Sequence, residues 1–202
     1  MLSKTITLFL VRHCDYDNPL SILPGRLPVK LSAEGIAQAE RLKKYFASKK
    51  IEMIFSSAVA RCQQTSEIIS DGKIPITYSK ALLETLSAYQ GYWEHDCMHF
   101  FSHRQELGGE SNADIFSRMV NFLYEVDFKD NCEYIICSHG DPLLFLLQYL
   151  AGKPMLAEAL PGEKTVTPED YQPRGSIKPV YIKGKIVSVG ELVTQEELSD
   201  ES

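Results

Sequence analysis

The sequence has no CxxC pair, no long apolar run, no basic stripe, no internal repeat and no low-complexity segment. Each absence removes a class of protein. Its five cysteines (Cys14, Cys62, Cys97, Cys132 and Cys137) are odd in number and irregularly spaced, which fits neither a disulfide framework nor a zinc ribbon. Reduced thiols in a cytoplasmic compartment are expected instead. The first apolar stretch covers roughly seven residues behind a single lysine, too short for a signal-peptide core or a membrane span. No membrane partner is therefore expected. A formal net charge of −6 without clustered lysine or arginine argues against a nucleic-acid partner, though it leaves room for a local positive pocket.

What is present is ordinary in amount. A chain of 202 residues with 44% hydrophobic residues suits one domain with a proper core. That domain is expected over residues 1–194, with residues 195–202 as a disordered acidic tail.

Residues 5–11 are apolar and rich in β-branched side chains, long enough for one buried strand, and the run stops at Arg12 beside His13. In open α/β sheets ligands collect where strands end. A histidine with an ordinary pKa of about 6.5 is largely neutral at pH 7, so a ring nitrogen there can attack phosphorus without first losing a proton. A neighbouring guanidinium holds phosphoryl oxygens through paired charged hydrogen bonds. As a bare dipeptide, Arg-His after a strand is equally an ordinary surface pair.

A proline-bearing loop follows, and Ser32 caps a helix whose Ile36, Ala39, Leu42, Tyr45 and Phe46 share one face. A strand over 51–55 leads to a helix over 58–70 with Arg61 in its first turn. Cations are mildly disfavoured at that end, so Arg61 is either a solvated surface residue or the partner of an anion that the helix start also attracts. A third strand spans 74–78. Glu84 then follows two leucines, where partial desolvation raises a carboxyl pKa toward the range of a general acid; otherwise it is an exposed loop glutamate. His95, His99 and His103 recur at helical spacing, but no further ligand completes the set, so no metal is assigned. Ile115, Met119, Phe122, Leu123 and Val126 line the next helix. A strand over 134–137 ends at Ser138-His139-Gly140, directly before a helix over 143–150 with Pro142 in its first turn. A second histidine thus stands at a strand end, either beside an anion drawn to the helix start or as a structural cap residue. A hairpin over 175–182 and 185–192 closes the pattern.

Taken in order, Leu10-Val11-Arg12-His13, Leu31-Ser32-Ala33-Glu34-Gly35, Ser56-Ser57 with Arg61, Leu83-Glu84, Gly109-Glu110-Ser111 and Ser138-His139-Gly140 resemble the histidine phosphatase superfamily, also called phosphoglycerate-mutase-like. The resemblance implies a three-layer α/β/α sandwich with a mostly parallel central sheet. It further implies that His13 is the nucleophile that becomes phosphorylated, and that Arg12, Arg61 and a protonated His139 form the cationic pocket. Glu84 would protonate the leaving oxygen, and Asn18, Gly25 and Gly140 would contact substrate. No metal or other cofactor is implied, and the partner is a small phosphorylated substrate. Both imidazole rings are expected to face each other across a solvent-accessible electropositive cup.

Two departures stand out. The family's usual glycine after the nucleophile is Cys14, which is expected either to narrow the pocket or fill a gap; beside Arg12 and His13 its thiol could have a lowered pKa and be open to oxidation. The family's phosphate-contacting asparagine is displaced by one residue, to Asn18. Hydrolysis through phosphohistidine is the expected activity. Mutase-type phosphoryl transfer, a sugar bisphosphatase and a non-catalytic phospho-ligand binder are the alternatives.

Overall fold

The computed structural model describes residues 4–93, 108–155 and 170–200. Among these residues six strands form one sheet: β1 (Thr5–Arg12), β2 (Ile51–Ser57), β3 (Ile76–Ser79), β4 (Cys132–Ser138), β5 (Ile177–Lys183) and β6 (Ile186–Val189), ordered β3-β2-β4-β1-β5-β6. The four strands from β3 to β1 run parallel, while β5 and β6 add an antiparallel edge.

Side chains of a strand alternate between the two faces of its sheet. In β1, Ile6, Leu8 and Leu10 enter one core, and Phe9 and Val11 enter the other. Burial on both faces explains why the strand reads as an almost unbroken apolar run. The first core is closed by α3 (Asn112–Glu125) and α4 (Gly140–Leu150), through Met119, Phe122, Leu143 and Leu146. The second is closed by α1 (Ala33–Phe46) and α2 (Ala60–Ser70), through Leu42, Phe46, Cys62 and Ile69. The result is the three-layer α/β/α arrangement expected from the sequence.

Local signals account for the helix starts. The Ser32 hydroxyl accepts from the Gly35 amide, and Ser111 with Asp114 forms a reciprocal capping box at α3. Helix α4 starts three residues earlier than the apolar pattern indicates, at Gly140, because Pro142 falls in the first turn, where a missing amide hydrogen costs nothing.

The tail departs from expectation. Residues Gln195–Asp200 form a short helix, α5, instead of a disordered segment. Leu198, 5% exposed, joins the second core, Glu197 accepts from the Thr194 amide, and Gln195 accepts from Arg41 and donates to the Gly175 carbonyl. One buried leucine and these bonds outweigh an acidic composition. Among the described residues no helix is long and apolar enough to cross a membrane.

Core position and edge position should respond differently to truncation. Leu10 is fully buried and Ile186 is 71% exposed. Leu10→Ala is expected to lower unfolding free energy by about 2–5 kcal/mol. Ile186→Ala should stay within about 0.5 kcal/mol of the parent, as measured by denaturant titration.

Candidate active site

The pairing of β1 with β4 creates the site. Their parallel register sets Arg12 opposite Ser138, and the His13 amide donates to the Ser138 carbonyl at 3.0 Å. One residue further on, His139 is the N-cap of α4, so the two imidazoles become neighbours with ring centroids 5.1 Å apart. The helices that follow these strands leave toward opposite faces, which opens a crevice between the strand ends.

Hydrogen-bond roles determine the protons. His13 Nδ1 lies 2.8 Å from the Cys14 carbonyl, which only accepts, so Nδ1 carries the hydrogen and Nε2 is left with its lone pair. Arg61 Nε donates to that Nε2 at 3.1 Å. Arg61 Nη2 is 2.9 Å from His139 Nδ1, and because a guanidinium only donates, His139 Nδ1 accepts. His139 Nε2 therefore carries the hydrogen and donates to Ser57 Oγ at 2.8 Å. Both rings are neutral in this arrangement. Burial, then the Arg61 charge, pushes the pKa of each well below 6.5. The expectation of a protonated His139 is thus corrected: with two guanidinium groups nearby and little solvent, a third positive charge is disfavoured.

Arg61 is the hub. It sits in the first turn of α2, 1% exposed, and its Nη2 also reaches the Gly25 carbonyl at 2.9 Å and Glu84 Oε2 at 3.3 Å. Glu84 follows a single 3₁₀ turn, Lys80–Leu82, and its other oxygen accepts from the Thr85 amide. Burial raises the Glu84 pKa above its usual 4.5, against the opposing pull of Arg61. Arg12 lies over the Tyr171 ring and donates to the Gln172 carbonyl at 2.6 Å. Arg12 Nε and Arg61 Nη1 are buried without a hydrogen-bond partner among the described residues, two cationic donors directed at no acceptor there. His13, Glu84 and His139 bring ligand atoms within 4.8 Å of one another, a spacing a metal ion could use. The Arg61 guanidinium, however, already bonds all three, so a cation serves that trio from within the chain.

A sequence model of the histidine phosphatase superfamily (branch 1) matches residues 8–161. The chain belongs to this superfamily. It is 26% identical over 162 residues to phosphoserine phosphatase 1 of Hydrogenobacter thermophilus, covering 73% of this chain and 77% of that protein. It is 25% identical over 171 residues to the adenosylcobalamin/alpha-ribazole phosphatase of Escherichia coli, covering 76% and 82%. The structure of YhfR from Bacillus stearothermophilus superposes with a TM-score of 0.76 at 24% identity, over 92% of this chain and 95% of that one, and so shares the fold.

In this member of the superfamily, the five core residues named from sequence (Arg12, His13, Arg61, Glu84 and His139) converge on one point. The three secondary ones do not all face it. Asn18 spends its amide inside its own loop, donating to the Ile22 carbonyl and accepting from the Ile22 amide. Gly25, with φ of +46°, presents its carbonyl to Arg61, so it orients the guanidinium. Gly140 is required by close approach, because a Cβ there would lie 2.1 Å from the Tyr171 hydroxyl. The thiol of Cys14 is fully buried in the second core, where burial pushes its pKa up. The expectation of a lowered thiol pKa is thereby corrected, because desolvation outweighs the Thr65 hydrogen bond and the Arg41 charge that pull the other way. The triad His95, His99 and His103 lies outside the described residues.

Sequence reasoning places the loop over residues 152–175 at the mouth of the pocket but singles out none of its side chains. Tyr171, Gln172 and Arg174 come from the segment before β5, and nothing in their spacing announces a site. It also missed the closure: Tyr16 packs on His13, and the two histidines are 1% and 0% exposed. Glu84, with 20% of its side chain exposed, marks the side on which the cup meets solvent.

These neutral histidines link stability to pH. On unfolding each regains an ordinary pKa of about 6.5, so below that pH the unfolded chain binds more protons. Their contribution is complete above the unfolded value and is lost as pH falls toward the depressed folded values. Denaturant midpoints should therefore drop between about pH 7.5 and about pH 5.5 in the parent, and drop less in His13→Gln.

Proposed function

We propose that this chain is a phosphomonoesterase that hydrolyses a small phosphorylated metabolite through a phosphohistidine at His13, without a metal. One observation carries the reading: the unprotonated Nε2 of His13 stands among two guanidinium groups, buried Arg61 and half-buried Arg12, that each retain a buried N–H without a partner among the described residues. Phosphoryl transfer depends mainly on positioning and on stabilising charge at the equatorial oxygens, which two arginines supply. The phosphatase names of the Hydrogenobacter and Escherichia relatives support hydrolysis. So does the interval between Glu84 and Gly109, where Arg104 is the sole lysine or arginine available to hold a second phosphate.

The reaction runs in two steps. An entering phosphoryl group draws the Arg61 Nε–H onto its oxygens and frees the Nε2 lone pair. Nε2 attacks phosphorus, the ester P–O bond breaks, and protonated Glu84 gives its proton to the leaving oxygen. The charge that develops on the ring is eased by the Nδ1–H bond to the Cys14 carbonyl. A water then attacks the phosphohistidine, Glu84 takes its proton, and phosphate leaves with His13 restored. The incoming anion also offsets the Arg12 and Arg61 charges and so raises the proton affinity of His139.

Brief exposure to substrate should leave acid-labile phosphate on the parent protein and none on His13→Ala. The loss of kcat in that variant should be at least about a thousandfold. Glu84→Gln should slow release of an alkyl ester by about 10²–10⁴, and release of p-nitrophenol much less, because that leaving group needs little protonation. Labelled phosphate recovered in an isomerised ester instead of as inorganic phosphate would identify a transferase. A His13→Ala protein with parental turnover would refute the mechanism.

A further inference from the structure

Arg174 is the one arginine of this wall that the proposed reaction does not use. The chain on both sides of it is pinned: Gln172 donates from Nε2 to the Leu10 carbonyl, and the Gly175 amide donates to the carbonyls of Arg12 and His13. Its side chain is held far more loosely. One nitrogen meets Asp15 Oδ1 at 3.2 Å and the other donates to the Tyr16 hydroxyl at 3.0 Å. Both members of the ion pair are more than a third exposed, so the contact is easily exchanged. Asp15 would not be stranded by the exchange, because its second oxygen accepts from Gln38 Nε2 at 2.6 Å.

Location gives the side chain its meaning. The guanidinium lies over the Tyr16 ring, 4.4 Å from its centroid, and the same ring contacts His13 and Arg61. Arg174 is therefore one aromatic ring away from the nucleophile, and its charge is felt there. The other arginines around the pocket are committed. Arg26 bonds the Glu84 carbonyl and Glu110, and Arg118 bonds Glu110 and the Ala81 carbonyl.

We propose that Arg174 is the subsite for a second anionic group on the substrate, a carboxylate or a second phosphoryl group, which replaces Asp15 and the Tyr16 hydroxyl as its partner. This rests on the reading that the pocket beside His13 takes the first phosphoryl group. The planar fork of a guanidinium matches either anion in a bidentate manner, whereas it now makes a single contact to Asp15. Because Arg174 also holds the Tyr16 hydroxyl, its transfer to substrate loosens the ring that covers His13. Recognition of the far end of the substrate is thereby joined to uncovering of the nucleophile.

Calorimetric titration with methylphosphonate, phosphonopropionate and ethylene bisphosphonate tests this without requiring turnover. Arg174→Ala should weaken phosphonopropionate or the bisphosphonate at least about tenfold more than it weakens methylphosphonate, and the ligand that suffers identifies the anion. Asp15→Asn, which removes the competing carboxylate, should tighten that same ligand several-fold. Equal losses for all three ligands in Arg174→Ala, or no loss for any, would overturn the proposal, as would weaker two-anion binding in Asp15→Asn. The outcome is separable from the hydrolase reading. Selective loss in Arg174→Ala with no phosphohistidine formed keeps the subsite and removes the hydrolase; phosphohistidine formed with no selective loss does the reverse.

Discussion

A single buried guanidinium organises this molecule's chemistry. Arg61 donates to both imidazoles, to the Gly25 carbonyl and to Glu84, while almost none of its surface touches solvent. Removing a cation from water is costly unless its hydrogen bonds are satisfied and a counter-charge is close. Glu84, when ionised, supplies the counter-charge, and the two ring nitrogens and the carbonyl supply the acceptors. The two N–H bonds of Nη1 are left over. The arrangement holds both histidines neutral, which keeps one lone pair available at His13 and presents unpaired positive donors to whatever enters.

That hub functions because the sheet delivers its partners to one place. Register alone makes Arg12 face Ser138, and the next residue of each strand end is a histidine. Strand β2 pairs with β4 on its other side and ends at Ser57, whose hydroxyl accepts from His139, and Arg61 follows four residues later at the start of α2. Three parallel strand ends thus contribute the proposed nucleophile, a second histidine and the arginine between them. Slippage of one residue between β1 and β4 would send each of these side chains to the wrong face.

The surrounding loops divide the remaining work. The 15–25 segment covers His13 with Tyr16 and orients Arg61 with Gly25, while its asparagine is consumed in closing its own turn. The 171–175 segment sets the attitude of Arg12 from below through Tyr171 and Gln172. A centre that meets solvent only on the Glu84 side among the described residues is consistent with phosphoryl chemistry, since exclusion of water strengthens every charged contact inside it.

Much of this was legible from residue order. Apolar runs ending at Arg12-His13 and Ser138-His139, a serine cap at 32, and an arginine at an electrostatically awkward helix start are local signals, and each has a local physical cause. They were sufficient for the layers of the fold, the family and the five converging residues. Other properties depend on which groups meet across long sequence separations. Cys14 follows Arg12 and His13 in sequence yet faces a core, so burial pushes its thiol pKa up where neighbour order indicates a lowered one. His139 is held neutral by burial and by Arg61, remote in sequence, which donates to it, and the acidic tail is helical because Leu198 finds a hydrophobic surface made by other segments. Sequence by itself determined which elements form and which side chains stand at their ends, since periodicity and capping are local. Tertiary structure alone decided protonation, exposure and the placement of Tyr16 and Arg174, because those are set by the field and packing of distant residues.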